Sequence, residues 1–132
     1  MDPTNATAIP FTYVVTSPTL TASSSGSITL IMQADSRFEL TAIFATSSLD
    51  ANTDMSSNNF SVLITDQTTG RQLSSNRIPQ RIFAGTAFNG YLGRRSILFN
   101  PQSNLLFDFL NLSGASPNVI TLSLVGYKYL IS

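Results

Sequence analysis

Asn104 to Ser132 reads NLLFDFLNLSGASPNVITLSLVGYKYLIS, two apolar runs on either side of Ser113-Gly114-Ala115-Ser116-Pro117-Asn118. Gly and Pro supply special backbone angles, and Ser and Asn side chains bond back to the main chain, so the middle segment predicts a turn. In the first run Leu105, Phe107 and Phe109 alternate with Leu106, Asp108 and Leu110; in the second Ile120, Leu122 and Leu124 alternate with Thr121, Ser123 and Val125. A period of two is what a half-buried strand shows. The spacing predicts a hairpin, and a pair this apolar needs a second sheet to cover it. Taken alone, these residues define a β domain and no chemistry.

Upstream, the same signals repeat. Residues 1–10 are polar with two prolines and are expected to form an arm, ordered only when something holds it, ahead of a single β-sandwich domain over 11–132. Phe11 to Val15 predicts a first strand, ended by Ser17-Pro18. Ser23 to Gly26 is turn material, and Ser27 to Met32 predicts the next strand. Arg37 to Phe44 alternates, with Phe38, Leu40, Ala42 and Phe44 expected inward and Arg37, Glu39 and Thr41 outward. Ala45 to Asn59 has no period and many Ser, Asn and Asp, the composition of a long exposed loop that carries contacts. Phe60 to Asp66, the turn Gln67-Thr68-Thr69-Gly70 and the return from Arg71 read as a hairpin. Asn76 to Arg95 is irregular, with three glycines, and Ser96 to Phe99 predicts a short strand. About eight strands with no helical period predict an all-β, two-sheet antiparallel sandwich, most simply a jelly roll. A Greek-key sandwich of another strand order gives the same pattern.

Composition narrows the function. A chain of 132 residues is long enough to bury roughly two thirds of its unfolded surface in one core without staples. Hydrophobic residues make up 42% and charged residues only 11%, so much of the surface is Ser, Thr, Asn and Gln or is covered by a partner. Seven basic residues balance seven acidic ones, which argues against broad electrostatic capture of nucleic acid or of an anionic membrane. With no Cys there is no disulfide framework or thiolate metal site. The apolar runs are too short for a membrane helix, and Met1-Asp2-Pro3-Thr4-Asn5 lacks the basic start of a signal peptide, so synthesis in the cytoplasm is expected.

Catalytic readings fail in turn. There is no His to serve as base for a Ser or Cys nucleophile, and nothing around the single lysine, Lys128, suggests a Lys base. Asp66 and Asp108 are the best candidates for paired carboxylates; the plainer reading makes Asp66 a strand-end residue entering a turn and Asp108 an outward residue or an Arg partner. Asp50-Ala51-Asn52-Thr53-Asp54 opens like a calcium loop, but Met55 stands where the loop needs Gly and Ser61 where it needs Glu. No enzyme, cofactor or metal is therefore expected. Arg71, Arg77, Arg81, Arg94 and Arg95 hold most of the positive charge in one part of the chain, and the planar guanidinium suits carboxylate pairing at an interface. Tyr127, Tyr129 and Tyr91 are candidates to stack on a sugar ring.

Phe38 to Phe44, Phe60 to Asp66, Ile78-Pro79-Gln80-Arg81-Ile82-Phe83-Ala84-Gly85, Ile97 to Pro101, Asp108 to Leu112 and Gly126 to Tyr129 together resemble small virion proteins of tailed bacteriophages, in particular jelly-roll cement (decoration) proteins of the capsid exterior. The likeness covers residues 36–130 and rests on the run of strand and turn residues. It implies a non-enzymatic structural protein, made in the host cytoplasm and placed on the virion, that binds across major capsid protein subunits, self-associates as a dimer or trimer, and stabilises the shell. Arg77, Arg81, Arg94, Arg95, Asp50 and Asp54 are the expected partner-contact residues. A carbohydrate-binding module and a tail or fibre protein of the same fold are the alternatives.

Overall fold

The computed structural model describes residues 7–48, 59–79 and 96–131. These residues form nine strands: β1 (Ala8–Thr16), β2 (Ser25–Ile31), β3 (Ser36–Ser47), β4 (Phe60–Asp66), β5 (Arg71–Gln72), β6 (Ile78–Pro79), β7 (Ile97–Phe99), β8 (Asn104–Asn111) and β9 (Ile120–Leu130). Among them there is no helix.

All pairings are antiparallel, and the strands divide between two sheets ordered β1-β9-β3-β7 and β2-β8-β4-β5, with β6 also paired to β4. The long strands follow one rule. β1 pairs with β9, β2 with β8, β3 with β7 and β4 with β5, so the chain is one long hairpin whose arms are wrapped into two facing sheets. That is the jelly roll. The short pieces β5 and β6 share one edge of β4, β5 against Thr65 and Asp66 and β6 against Ser61 and Val62.

Wrapping corrects the expected terminal hairpin. β8 and β9 do not pair; β8 lies between β2 and β4, and β9 lies between β1 and β3 in the other sheet. Each apolar run covers the other across the core, where Leu105, Phe107, Phe109, Ile120, Leu122 and Leu124 are all fully buried. An inward face reads the same in sequence whether its neighbour lies beside it or opposite it. At ~1.5–3 kcal/mol per fully buried side chain, these two strands supply a large share of the driving force for folding. Aromatic edge contacts extend the core, Tyr13 against Phe38 at 4.9 Å and Phe60 against Phe109 at 6.3 Å.

The alternation expected along β3 holds for Phe38 and Leu40 and then breaks. Leu40 pairs with Gly126 and Ala42 with Val125, leaving Thr41 as the extra residue of a β-bulge whose hydroxyl donates to Val125 O at 3.0 Å. The bulge reverses the facing of everything after it. Ile43, not Ala42 or Phe44, reaches the core, and Phe44 is left half-buried. The bulge needs a close approach: a Cβ on Gly126 would lie 1.9 Å from the carbonyl oxygen of Glu39.

The first strand begins at Ala8, so Ala8 to Pro10, expected in the arm, pair with Tyr129 to Tyr127. Lys128 is the unexpected member of the interior, 7% exposed. Its ammonium group lies 4.3 Å from the Phe11 ring centre and 3.4 Å from Asp35 Oδ1, and it donates to Gln33 Oε1. The long stem packs in the sandwich while the charge reaches polar groups at its open end.

Candidate partner-binding end of the sandwich

One end of the sandwich is held by two buried asparagines on the β8–β9 crossover. Asn111 Nδ2 donates to Leu20 O, Thr21 O and Ser116 O at 3.3, 3.1 and 3.0 Å, and its Oδ1 accepts from Ser113 N at 3.0 Å. Asn118 exchanges backbone bonds with Leu20 at 2.8 and 2.9 Å. Its Oδ1 accepts from Ser47 Oγ at 2.5 Å and Ser48 Oγ at 3.3 Å, while its Nδ2 donates to Asn59 O at 3.1 Å. Each asparagine is 1% exposed, so every one of these bonds replaces water that is no longer there, and losing one leaves a buried polar group unsatisfied.

These bonds set the stem of the segment 49–58. Ser48, the last described residue before it, and Asn59, the first after it, are tied to the same side chain of Asn118, and Val119 N donates to Ser48 Oγ at 3.0 Å. The segment 80–95 leaves from the same end: β6 pairs Ile78 with Val62 and Pro79 with Ser61, one residue from Phe60. It rejoins at Ser96, beside β7 on the edge of the other sheet. Both stems of 49–58 and the outgoing stem of 80–95 thus root at one end of the frame, while the return at Ser96 lies partway along β3, next to the Ile97–Leu40 pair.

Of the six expected contact residues, Asp50, Asp54, Arg81, Arg94 and Arg95 lie outside the described residues. Arg77 is described. Its guanidinium binds Asp108 Oδ2 at 3.0 Å on the outer face of the β2-β8-β4-β5 sheet, which makes Asp108 the outward, Arg-partnered residue of the plainer reading. Asp66 is the strand-end residue: its Oδ1 accepts from Thr68 N at 3.0 Å, its carbonyl oxygen from Gly70 N at 2.7 Å, and Arg71 lies 3.9 Å away. Asp66 faces inward and Asp108 outward on the same sheet, so the two carboxylates cannot act on one substrate. The calcium-like run is outside the described residues except for Asn59, Phe60 and Ser61, and among the described residues no three His, Cys, Asp or Glu side chains group as metal ligands.

On the outer face of the β1-β9-β3-β7 sheet, Tyr127 stands between Pro10 and Glu39, with Leu98 beyond, in a row across all four strands. The Glu39 carboxylate accepts from Tyr129 Oη at 2.8 Å and from Ser96 Oγ at 2.9 Å. The hydrogen bond to Glu39 holds the Tyr129 hydroxyl above its ordinary pKa, helped by desolvation and by the carboxylate charge. Asp35 is shifted the other way: the Ser36 hydroxyl, bound at 2.9 Å, holds its carboxyl below the usual value against an opposing desolvation, and the Lys128 charge adds to the lowering. Tyr91 lies outside the described residues.

Sequence reasoning missed both asparagines: Asn118 belongs to the polar segment Ser113–Asn118 that reads as a solvated turn, and Asn111 stands two residues before it at the end of the first apolar run. The available signal was position: each flanks the turn segment at the end of an inward-facing apolar run, where a polar residue is buried along with its neighbours.

No protein-family model matches the chain, and no curated protein matches it in sequence. Among solved structures, Drosophila NLP-core, studied for pentamer formation and histone binding, is similar at 18% identity over 89% of this chain and 96% of that one, with a TM-score of 0.36. A likeness at that level carries no argument about assembly or binding.

Proposed function

We propose that this chain is a non-enzymatic structural protein of a bacteriophage particle, a cement protein on the capsid exterior that binds across major capsid subunits and stiffens the shell. One observation supports the reading beyond the resemblance in sequence: the segments carrying Asp50 and Asp54 and carrying Arg81 root together at one end of the jelly roll, on stems fixed by Asn118 and by β6. A rigid frame that fixes both stems of 49–58 and the outgoing stem of 80–95 lowers the ordering cost of binding. The low charge of the frame leaves the specificity to those segments, where arginine pairs with acidic groups of a partner. Many copies, each with a modest interface, together resist expansion of the shell. The test is attachment to capsid shells by a variant with Arg81, Arg94 and Arg95 replaced by Ala. Arg77 is kept, because it binds Asp108. Reduced attachment by a folded variant supports the reading; undiminished attachment sinks it.

A second reading, a carbohydrate-binding module, is favoured by the row of Pro10, Tyr127, Glu39 and Leu98. There an aromatic side chain stands beside a carboxylate fixed by two hydroxyl donors, the combination that stacks on a sugar ring and accepts from its hydroxyls. Glycan-array binding that disappears in Tyr127→Ala separates it from the shell reading. The same fold at a tail or fibre position binds tail components in place of shells.

A further inference from the structure

We infer that two copies of this chain pair through β2, antiparallel and about a two-fold axis, so that the β2-β8-β4-β5 sheet runs on from one protomer into its partner. The inference does not rest on the shell-binding reading; it specifies the form of the self-association.

β2 is an edge strand. β8 pairs with it on one side, and among the described residues no strand lies on the other. Its open side is defined by the bonds at its two ends. Asn111 N donates to Ser24 O and Met32 N to Ser103 O, both at 2.9 Å, and antiparallel residues alternate in facing, so the even-numbered residues bond to β8. The N–H and C=O groups of Ser25, Ser27, Thr29 and Ile31 then point away from it.

Natural edges are guarded by charges, proline, bulges or brevity. The other edges here have such guards: β1 carries Pro10, β7 is three residues long, and β4 is covered by β5 and β6. The sequence SGSITLI of β2 has no charge and no proline over seven residues, and its register with β8 is unbroken. The core is also open along it. Ile28 and Leu30 face inward yet stay only half-buried, while the inward residues of β8 beside them are fully buried, and Ile31 is 64% exposed. A further strand beyond β2 completes the burial of Ile28 and Leu30.

The strand is complementary to itself. With the axis at Ile28, the midpoint of β2, Ser27 meets Thr29 and Ser25 meets Ile31 of the partner. These four have free backbone groups, so both sets of pairs exchange hydrogen bonds. Ile28 stacks on its equivalent in the closer, non-hydrogen-bonded pair, and on either side of it each Leu30 meets the Gly26 of the other protomer, which leaves the leucine room. On the outer face Ser27 and Thr29 are directly opposite, a favourable cross-strand pair. No charge from either β2 enters the junction.

Dimerisation is measured by light scattering and sedimentation on purified protein over a wide concentration range. The wild type is expected to be a dimer. S27K/T29K sets like charges directly opposite each other in both outer pairs and is expected to weaken the dimer by at least about tenfold. S27E/T29E behaves the same way alone, and an equimolar mixture of the two variants restores a heterodimer. Both residues are solvent-exposed, so circular dichroism of the variants should match the wild type. Hydrogen exchange on the wild type gives a readout free of mutation: the Ser27 and Thr29 amides gain protection as concentration rises. A monomeric wild type, a dimer indifferent to S27K/T29K, a mixture that stays monomeric, or no concentration-dependent protection at these amides overturns the inference. Because shells are absent, failure here leaves the shell-binding test standing.

Discussion

Gly126→Ala tests the bulge that sets the register of the longest ladder in the molecule. The added carbon falls 1.9 Å from Glu39 O, 2.9 Å from Glu39 C and 3.1 Å from Phe38 Cζ. Ordinary contact is ~3.5 Å, so β3 and β9 must separate by on the order of 1.5 Å. The nearest clash is with backbone and cannot be relieved by a rotamer change. Overpacking typically costs ~1–3 kcal/mol, and a fixed obstacle places this substitution at about 3 kcal/mol. For a domain of this size that lowers Tm by ~10 °C. Urea and thermal unfolding followed by circular dichroism measure it, with an unchanged m-value showing that stability and not the unfolded state has moved. Gly114→Ala is the control, since its nearest new contact is Ser23 Oγ at 3.8 Å, and it should stay within about 0.5 kcal/mol of wild type. A Gly126→Ala protein as stable as that control refutes both the close approach and the bulge built on it.

Other substitutions probe the remaining links. Asn118→Ala removes the buried acceptor of Ser47 and Ser48 and the donor to Asn59, and should cost about 2–4 kcal/mol in urea unfolding. It should also increase proteolysis within 49–58. Phe107→Ala opens the core and should cost about 3–5 kcal/mol. Asp35 has its folded pKa below the ordinary 3.8, so its contribution is present above that pH and fades as pH falls through the folded value; Asp35→Asn should flatten this acid limb of the stability curve. Tyr129 has its folded pKa above 10.0, so its contribution is whole below pH 10 and disappears as pH rises through the folded value. In Glu39→Gln, absorbance titration should show Tyr129 ionising at lower pH.

The all-β class and the two-sheet sandwich were legible because alternation reports facing directly: Leu105, Phe107 and Phe109, and then Ile120, Leu122 and Leu124, point inward as their spacing requires. Which sheet each strand joins was not legible. β8 and β9 have the sequence of a hairpin, and only the rest of the chain, through β2 and β4 on one side and β1 and β3 on the other, draws them apart. Nor was the bulge legible, since Thr41 is as ordinary in a strand as any threonine, and the glycine that permits it lies 85 residues later at Gly126. The polar hubs at Asn111 and Asn118 were hidden for a related reason: asparagine beside a turn is usually solvated, and its burial here depends on loops that arrive from Leu20, Ser47 and Asn59. Asp66 and Asp108 could be placed one at a time, but opposite faces of one sheet become visible only once register is known. Five of the six expected contact residues lie outside the described residues; what the fold adds is the position of their stems.

Cryo-electron microscopy of capsid shells incubated with the protein examines the cement role on the shell itself. Added density is expected at regular lattice positions spanning joints between capsid subunits, with the Asn118 end of each sandwich, where 49–58 roots, against the shell. Shells left bare at saturating protein, or protein bound only at tail or fibre sites, would contradict it.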